Sequence, residues 1–176
     1  MAGTNRALSS ISKKFTIYEN AEMRNKLRKC IFISHKYEDK SKAKIIGDYL
    51  MKKLDLDIYF DENDEDLQDA VKKNDDKRIA LAINKGIEES THILCLVSDA
   101  TKSSWWVPYE VGYAKKNGAD IATLKLKGIP SVPSYLKIET TLNSYNEFTN
   151  YYSRIASSKI ILSESNTFDS LKNILD

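Results

Sequence analysis

A chain of 176 residues and 20.1 kDa, 41% hydrophobic and 30% charged, carries enough apolar material for one core and therefore one domain. Six Gly and three Pro exclude collagen-like, low-complexity and Pro-rich linker classes, and apolar runs such as 93–97 fall far short of the roughly 18 residues a membrane helix needs. Lys+Arg 27 against Asp+Glu 25 leaves a net charge of +2, too small and too little interleaved with aromatics to argue for nucleic acid.

The opening MAGTNRALSS has no continuous apolar stretch behind its basic residue, so no secretory leader is expected and a cytoplasmic protein is favoured. Residues 1–28 hold six basic and two acidic side chains, +4 against −2 for the remainder, and read as a separate basic arm, partly helical over 9–28. The domain proper is expected over 29–160, with a tail or short helix at 161–176.

At Lys29 the pattern changes. Cys30-Ile31-Phe32-Ile33-Ser34 is a continuous apolar run closed by a small polar residue, as in a central parallel strand feeding a loop. Asp39 and Ser41 are placed to cap a helix whose apolar residues Ala43, Ile46, Tyr49, Leu50 and Leu54 recur every three or four positions. A short second strand follows at 57–60. Residues 61–76, with eight acidic and two basic side chains, predict a solvated insertion. A helix over 77–89 puts Ile79, Ala82, Ile83, Gly86 and Ile87 on one face, and 91–97 is a third strand. A third helix over 104–116 stops at Asn117-Gly118. A fourth strand at 121–126, breaks at Pro130 and Pro133, a fifth strand at 136–142, a Tyr-rich helix at 144–156 and a short helix at 167–175 complete the chain.

Strict alternation of strands and helices implies a flavodoxin-like α/β fold, a five-stranded parallel sheet of order 2-1-3-4-5 with helices on both faces. Ligands bind such sheets at the carboxyl ends of the strands, near the switch point between strands one and three. That singles out loops 34–40 and 98–106. Cys30 and Cys95 fall at apolar strand positions and are too few for a disulfide framework or a four-ligand zinc site, so buried free thiols are expected.

No GxGxxG, GxxxxGK[ST], HExxH, CxxC or GxSxG motif is present. The informative stretch is 98–110, from Ser98-Asp99-Ala100-Thr101-Lys102-Ser103 into Ser104-Trp105-Trp106-Val107-Pro108-Tyr109-Glu110, where Trp106 and Glu110 are spaced i, i+4 on one helix face. A carboxylate beside an aromatic plate can stabilise a positively charged sugar centre while the ring excludes water. The spacing equally allows both tryptophans to pack in the core with Glu110 in solvent.

Together with Ile31-Phe32-Ile33-Ser34-His35 and Ile58-Tyr59-Phe60-Asp61, that stretch resembles a bacterial Toll/interleukin-1 receptor (TIR) domain over about 29–156. The resemblance implies cleavage of the nicotinamide–ribose bond of NAD+, as substrate, with no further cofactor and no metal. Glu110, four residues after Trp106, would be the catalytic glutamate. Ser34 and His35 would line the nicotinamide and ribose side, Tyr37 would stack a ring or close the crevice, and Ser104 would cap the helix and turn its hydroxyl inward. Trp105 or Trp106 would line the site; a Trp at 105 departs from the family pattern. Asp61, at the carboxyl edge, is a further binding candidate, with solvation in its acidic run as the competing role. His35 can also serve as a loop histidine bonded to backbone, and His92 as a satisfied core histidine.

The family resemblance also implies homo-oligomers through TIR–TIR contacts at the 61–76 segment, whose acidity the basic arm could meet. An apparently stand-alone layout resembles the signal-producing component of Thoeris-type anti-phage systems. Its partners would be NAD+, an effector protein reached through an ADP-ribose-derived nucleotide, and a phage-derived trigger, with no nucleic acid and no membrane. An NAD-depleting hydrolase, a non-catalytic TIR interaction module and a nucleoside deoxyribosyltransferase-like enzyme are the alternatives.

Overall fold

A computed structural model describes residues 2–9, 28–60, 64–156 and 167–176. Most of the arm helix expected over 9–28, and Asp61, lie outside the described residues. In chain order the elements are β1 (Cys30–Ser34), α1 (Lys40–Leu54), β2 (Asp57–Tyr59), α2 (Glu65–Lys72), α3 (Asp76–Glu88), β3 (His92–Val97), α4 (Trp106–Lys116), β4 (Asp120–Lys125), β5 (Thr140–Leu142), α5 (Tyr145–Ile155) and α6 (Thr167–Leu175). Single 3-10 turns at Tyr37–Asp39, Ala100–Ser103 and Ser134–Leu136 bend the chain at the carboxyl ends of β1, β3 and β4.

The sheet is parallel throughout, in the expected order β2-β1-β3-β4-β5. β1 and β3 are buried along their whole length, because helices cover both faces, and this is why they read as unbroken apolar runs rather than alternating ones. α1 packs with α5 and α6, while α3 packs with α4. Gly86 lets α3 approach β2: a Cβ there would stand 2.4 Å from the Tyr59 ring. Leu171 and Leu175 of α6 are buried, and the Lys127 N–H donates to the Ile174 carbonyl at 3.0 Å. Among the described residues, no helix is long and apolar enough to cross a membrane.

Three expectations change. The acidic segment is not all loop, because α2 forms within it. Asp64 accepts from the N–H groups of Asp66 and Leu67, Glu65 and Asp66 favour the positive end of the helix, and Leu67 and Ala70 are buried. β5 is shorter than 136–142, because Pro133 leads into a 3-10 turn and only Thr140–Leu142 pairs with β4. Asp39 stands at the N-cap of α1 but makes no side-chain cap bond. The Tyr-rich helix starts as expected, with Ser144 Oγ accepting from the Glu147 N–H and Glu147 Oε2 accepting from the Asn143 N–H.

The beginning of the arm belongs to the fold. Asn5 bridges to Ile58 in parallel, the Ile58 N–H donates to the Thr4 carbonyl at 2.9 Å, and Ala7 is buried. Cys30 and Cys95 are free and buried, and burial pushes each thiol up to about 12. A thiol reagent such as dithiobisnitrobenzoate should therefore find neither cysteine in native protein at pH 8 and both in denaturant. Rapid labelling of the native chain would contradict this burial.

Candidate active site

α4 begins at Trp106, with Ser104 two residues ahead, and Ser104 Oγ accepts from the Val107 N–H at 3.2 Å. Ser104 thus carries the expected capping bond. Pro108 sits in the first turn, where its missing N–H is tolerated. The buried residues of α4 are Val107, Glu110, Val111 and Ala114, spaced as a core-facing stripe. Glu110 therefore occupies a position where the helix pattern asks for an apolar side chain.

Only 4% of Glu110 is exposed, so the solvent-facing alternative is excluded. Its partner is Ser34, the last residue of β1, whose hydroxyl donates to Glu110 Oε2 at 2.5 Å. The register of β1 on β3 sets Ser34 beside Cys95, so that the thiol faces the charge of Glu110, which adds to the burial that raises it. Tyr135, on the turn after β4, is pushed up to about 12 by burial, then by Cys95 and Glu110, so its phenol stays protonated near neutral pH. The structure therefore gathers Ser34, Cys95, Glu110 and Tyr135 at the carboxyl edge of the sheet.

A crevice of about 290 Å³ opens beside this group, lined by Val97, Ser98, Thr101, Lys102, Ser104 and Pro108 on one side and by Ser131, Val132, Pro133 and Tyr135 on the other. Of the expected residues, Ser104 lines it. Glu110 and Ser34 are not among its lining residues and form a buried pair.

His35 donates its Nδ1 proton to the Ile33 carbonyl at 3.0 Å and stacks on Phe60 at 5.0 Å, which fixes the ring and leaves Nε2 as the unprotonated nitrogen of the neutral form. Tyr37, on the turn after β1, is 76% exposed, with the Lys40 ammonium 5.6 Å from its ring centre. The tryptophans are not in the core either. Trp105 is 92% exposed, whereas Trp106 is 36% exposed and meets Tyr109 edge-on at 5.7 Å. His92 bonds the Thr91 hydroxyl at 2.8 Å and is buried, and burial lowers its pKa. Among the described residues, no group of three or more His, Cys, Asp or Glu could hold a metal ion.

Tyr135, Ser98 and Thr101 were not singled out from the sequence as site residues. The two prolines before Tyr135 hide any periodicity there, and Ser98 and Thr101 look like ordinary loop residues until β3 sets where they lie.

No curated protein matches the chain. A family model described as Thoeris protein ThsB, TIR-like domain, matches residues 32–130, from β1 to beyond β4, with Ser34, His35, Tyr37, Ser104 and Glu110 inside the match. Since that match spans more than half of the chain, the chain belongs to the Thoeris ThsB TIR-like family and is a TIR protein of anti-phage defence.

Proposed function

We propose that this chain cleaves the nicotinamide–ribosyl bond of NAD+ and releases an ADP-ribose-derived signalling nucleotide. The observation that carries the reading is Glu110, a carboxylate set in the apolar stripe of α4 at the carboxyl edge of the sheet, 4% exposed and bonded to the Ser34 hydroxyl. Burying a charge is expensive, with an effective penalty of several kcal/mol per ion, and a neutral Gln would satisfy Ser34 without it. A charge kept at that cost fits a reaction in which positive charge develops nearby.

In this reading the nicotinamide riboside half of the substrate enters the crevice, and a ribose hydroxyl replaces the Ser34 hydroxyl on Glu110. The C1–N bond then breaks, its electron pair neutralising the pyridinium nitrogen as nicotinamide leaves. The fixed negative charge stabilises the oxocarbenium-like sugar that remains. Water at C1 yields ADP-ribose and a proton; a nucleophile of the same molecule, giving up its proton, yields a cyclic ADP-ribose lighter by one water. A crevice of about 290 Å³ suits a nucleoside rather than a whole dinucleotide, and in this reading the adenylate half lies outside it; Lys102 lines the crevice, and Trp105 and Tyr37 are exposed on the loops after β3 and β1. The nucleotide would act on a separate effector, and assembly of TIR domains or a phage-derived trigger would set its rate.

Mass spectrometry of NAD+ incubated with concentrated protein, alone and with lysate of phage-infected cells, tests this. Nicotinamide together with a cyclic ADP-ribose, one water lighter than ADP-ribose, is expected. Intact NAD+ in every sample would remove the catalytic reading and favour a docking module.

A further inference from the structure

Asp39 is a buried carboxylate that neither the reaction nor the helix it heads uses. It is 3% exposed and stands at the N-cap of α1, yet no helix N–H bonds its side chain. Its Oδ2 instead accepts the hydroxyl proton of Ser98, 59 residues away in sequence, and its Oδ1 meets the Lys42 ammonium at 2.9 Å. Ser98 is itself buried and fully engaged. Its Oγ accepts from the Ala100 N–H at 3.1 Å, and its own N–H donates to Thr101 Oγ1 at 3.0 Å. The Thr101 hydroxyl in turn donates to the Leu96 carbonyl at 3.2 Å. One continuous set of bonds thus runs from the head of α1 to the end of β3.

The two segments it joins are the loops of the switch point. One, 35–39, carries His35 and Tyr37; the other, 98–104, supplies Ser98, Thr101, Lys102 and Ser104 to the crevice. The strands beneath are held by their own ladder, with Ser34 beside Cys95, and Glu110 is held by Ser34. Loss of the Asp39–Ser98 bond would therefore free the loops without melting the sheet or moving the carboxylate.

We propose that Asp39 and Ser98 form a latch that sets the separation of the two switch-point loops, and that Asp39 is a positioning residue for the substrate. The proposal rests on the reading of the crevice as the NAD+ site. Asp39 acts through Ser98, which alone of the two lines the crevice. A device that holds substrate and transition state alike changes KM and leaves kcat nearly untouched.

Asp39→Ala, Asp39→Asn, Ser98→Ala and the double variant Asp39→Ala/Ser98→Ala, in the full chain, separate the outcomes. A hydrogen bond to a charged group is strong enough that Asp39→Ala and Ser98→Ala should each raise KM for NAD+ about tenfold, with kcat within about twofold. The double variant should be no worse than either single one, and Asp39→Asn, whose amide oxygen can still accept the Ser98 hydroxyl, should recover most of the loss. Independently of activity, hydrogen exchange should rise in 36–39 and 98–104 together in either single alanine variant and stay unchanged in β1 and β3. Faster exchange only in the mutated loop overturns the latch. An unchanged KM, or kcat falling together with thermal stability, overturns the positioning role. If the parent protein leaves NAD+ intact, the substrate reading fails and takes the positioning role with it, while joint loosening of the loops would still uphold the latch.

Discussion

Replacing Glu110 with Gln is expected to slow nicotinamide release by roughly a hundredfold or more, about 2.7 kcal/mol of barrier, while leaving the fold as stable as the parent or more so. The two halves of this expectation have one cause. Glu110 sits among Val107, Val111 and Ala114 with almost no solvent, bonded to Ser34, and in the proposed reaction an ionised carboxylate there works against a desolvation penalty. Gln keeps the shape and an oxygen for the Ser34 hydroxyl but removes the charge. If Glu110 were structural, the amide would cost stability and leave activity in step with the amount of folded protein. Nicotinamide release measured beside a urea melt distinguishes the two. Ser34→Ala should behave differently: it removes a competitor for the carboxylate, but leaves a buried charge without that donor. A stability loss of about 1–3 kcal/mol is expected from removal of the Ser34 hydrogen bond, and unchanged urea midpoints would show that the pair is not buried in solution.

Much of the fold was legible because β1 and β3, buried on both faces, wrote their position as unbroken apolar runs, and because the spacing of Ala43, Ile46, Leu50 and Leu54 is helical. What misled was charge counting. Eight acidic side chains in 61–76 outweighed the more local signals of α2, a capping Asp64 followed by Leu67 and Ala70 three residues apart. Thr140–Leu142 carried too little pattern to show where β5 starts.

At the site, Ser34 was legible as a strand end and Glu110 through its distance from Trp106. The burial of Glu110 was also written there, since Val107, Val111 and Ala114 frame it at three- and four-residue spacings. The indoles were harder, because a helix start placed at 104 rather than 106 blurs which ring points outward. The Asp39–Ser98 bond was not legible at all. Asp39 next to a helix start satisfies the local rule for a cap, and only the pairing of β1 with β3 brings Ser98 near enough to claim it instead.

Arg6→Met is expected to cost about 3–5 kcal/mol of stability, as for removal of one member of a buried ion pair, or roughly 10 °C in Tm for a domain of this size. One guanidinium ties four parts of the chain. Its Nε donates to Asp57 Oδ2 at the start of β2 at 3.0 Å, Nη1 donates to the Glu89 carbonyl beyond α3 at 3.0 Å, and Nη2 donates to the Arg28 carbonyl where the arm returns, at 3.1 Å. Asp57, 1% exposed, also accepts from the Thr4 N–H and hydroxyl, and would keep Arg28 at 3.5 Å as its remaining cation. Arg6→Lys should recover little, because one ammonium cannot donate in three fixed directions. Gly3→Ala should act in the same direction by a different route: its Cβ would stand 1.8 Å from the Leu56 carbonyl oxygen, a backbone atom that cannot yield, so residues 3–7 must lift from β2. Because both changes release the same segment, the double variant should lose less than the sum. Lys73→Ala, at an exposed i,i+4 pair with Asp69, is the contrast and should leave the midpoint almost unmoved. A urea melt in which Arg6→Met and Lys73→Ala coincide would mean that the first residues of the chain do not hold the β2 edge, and that the +4 of the arm is all solvated charge.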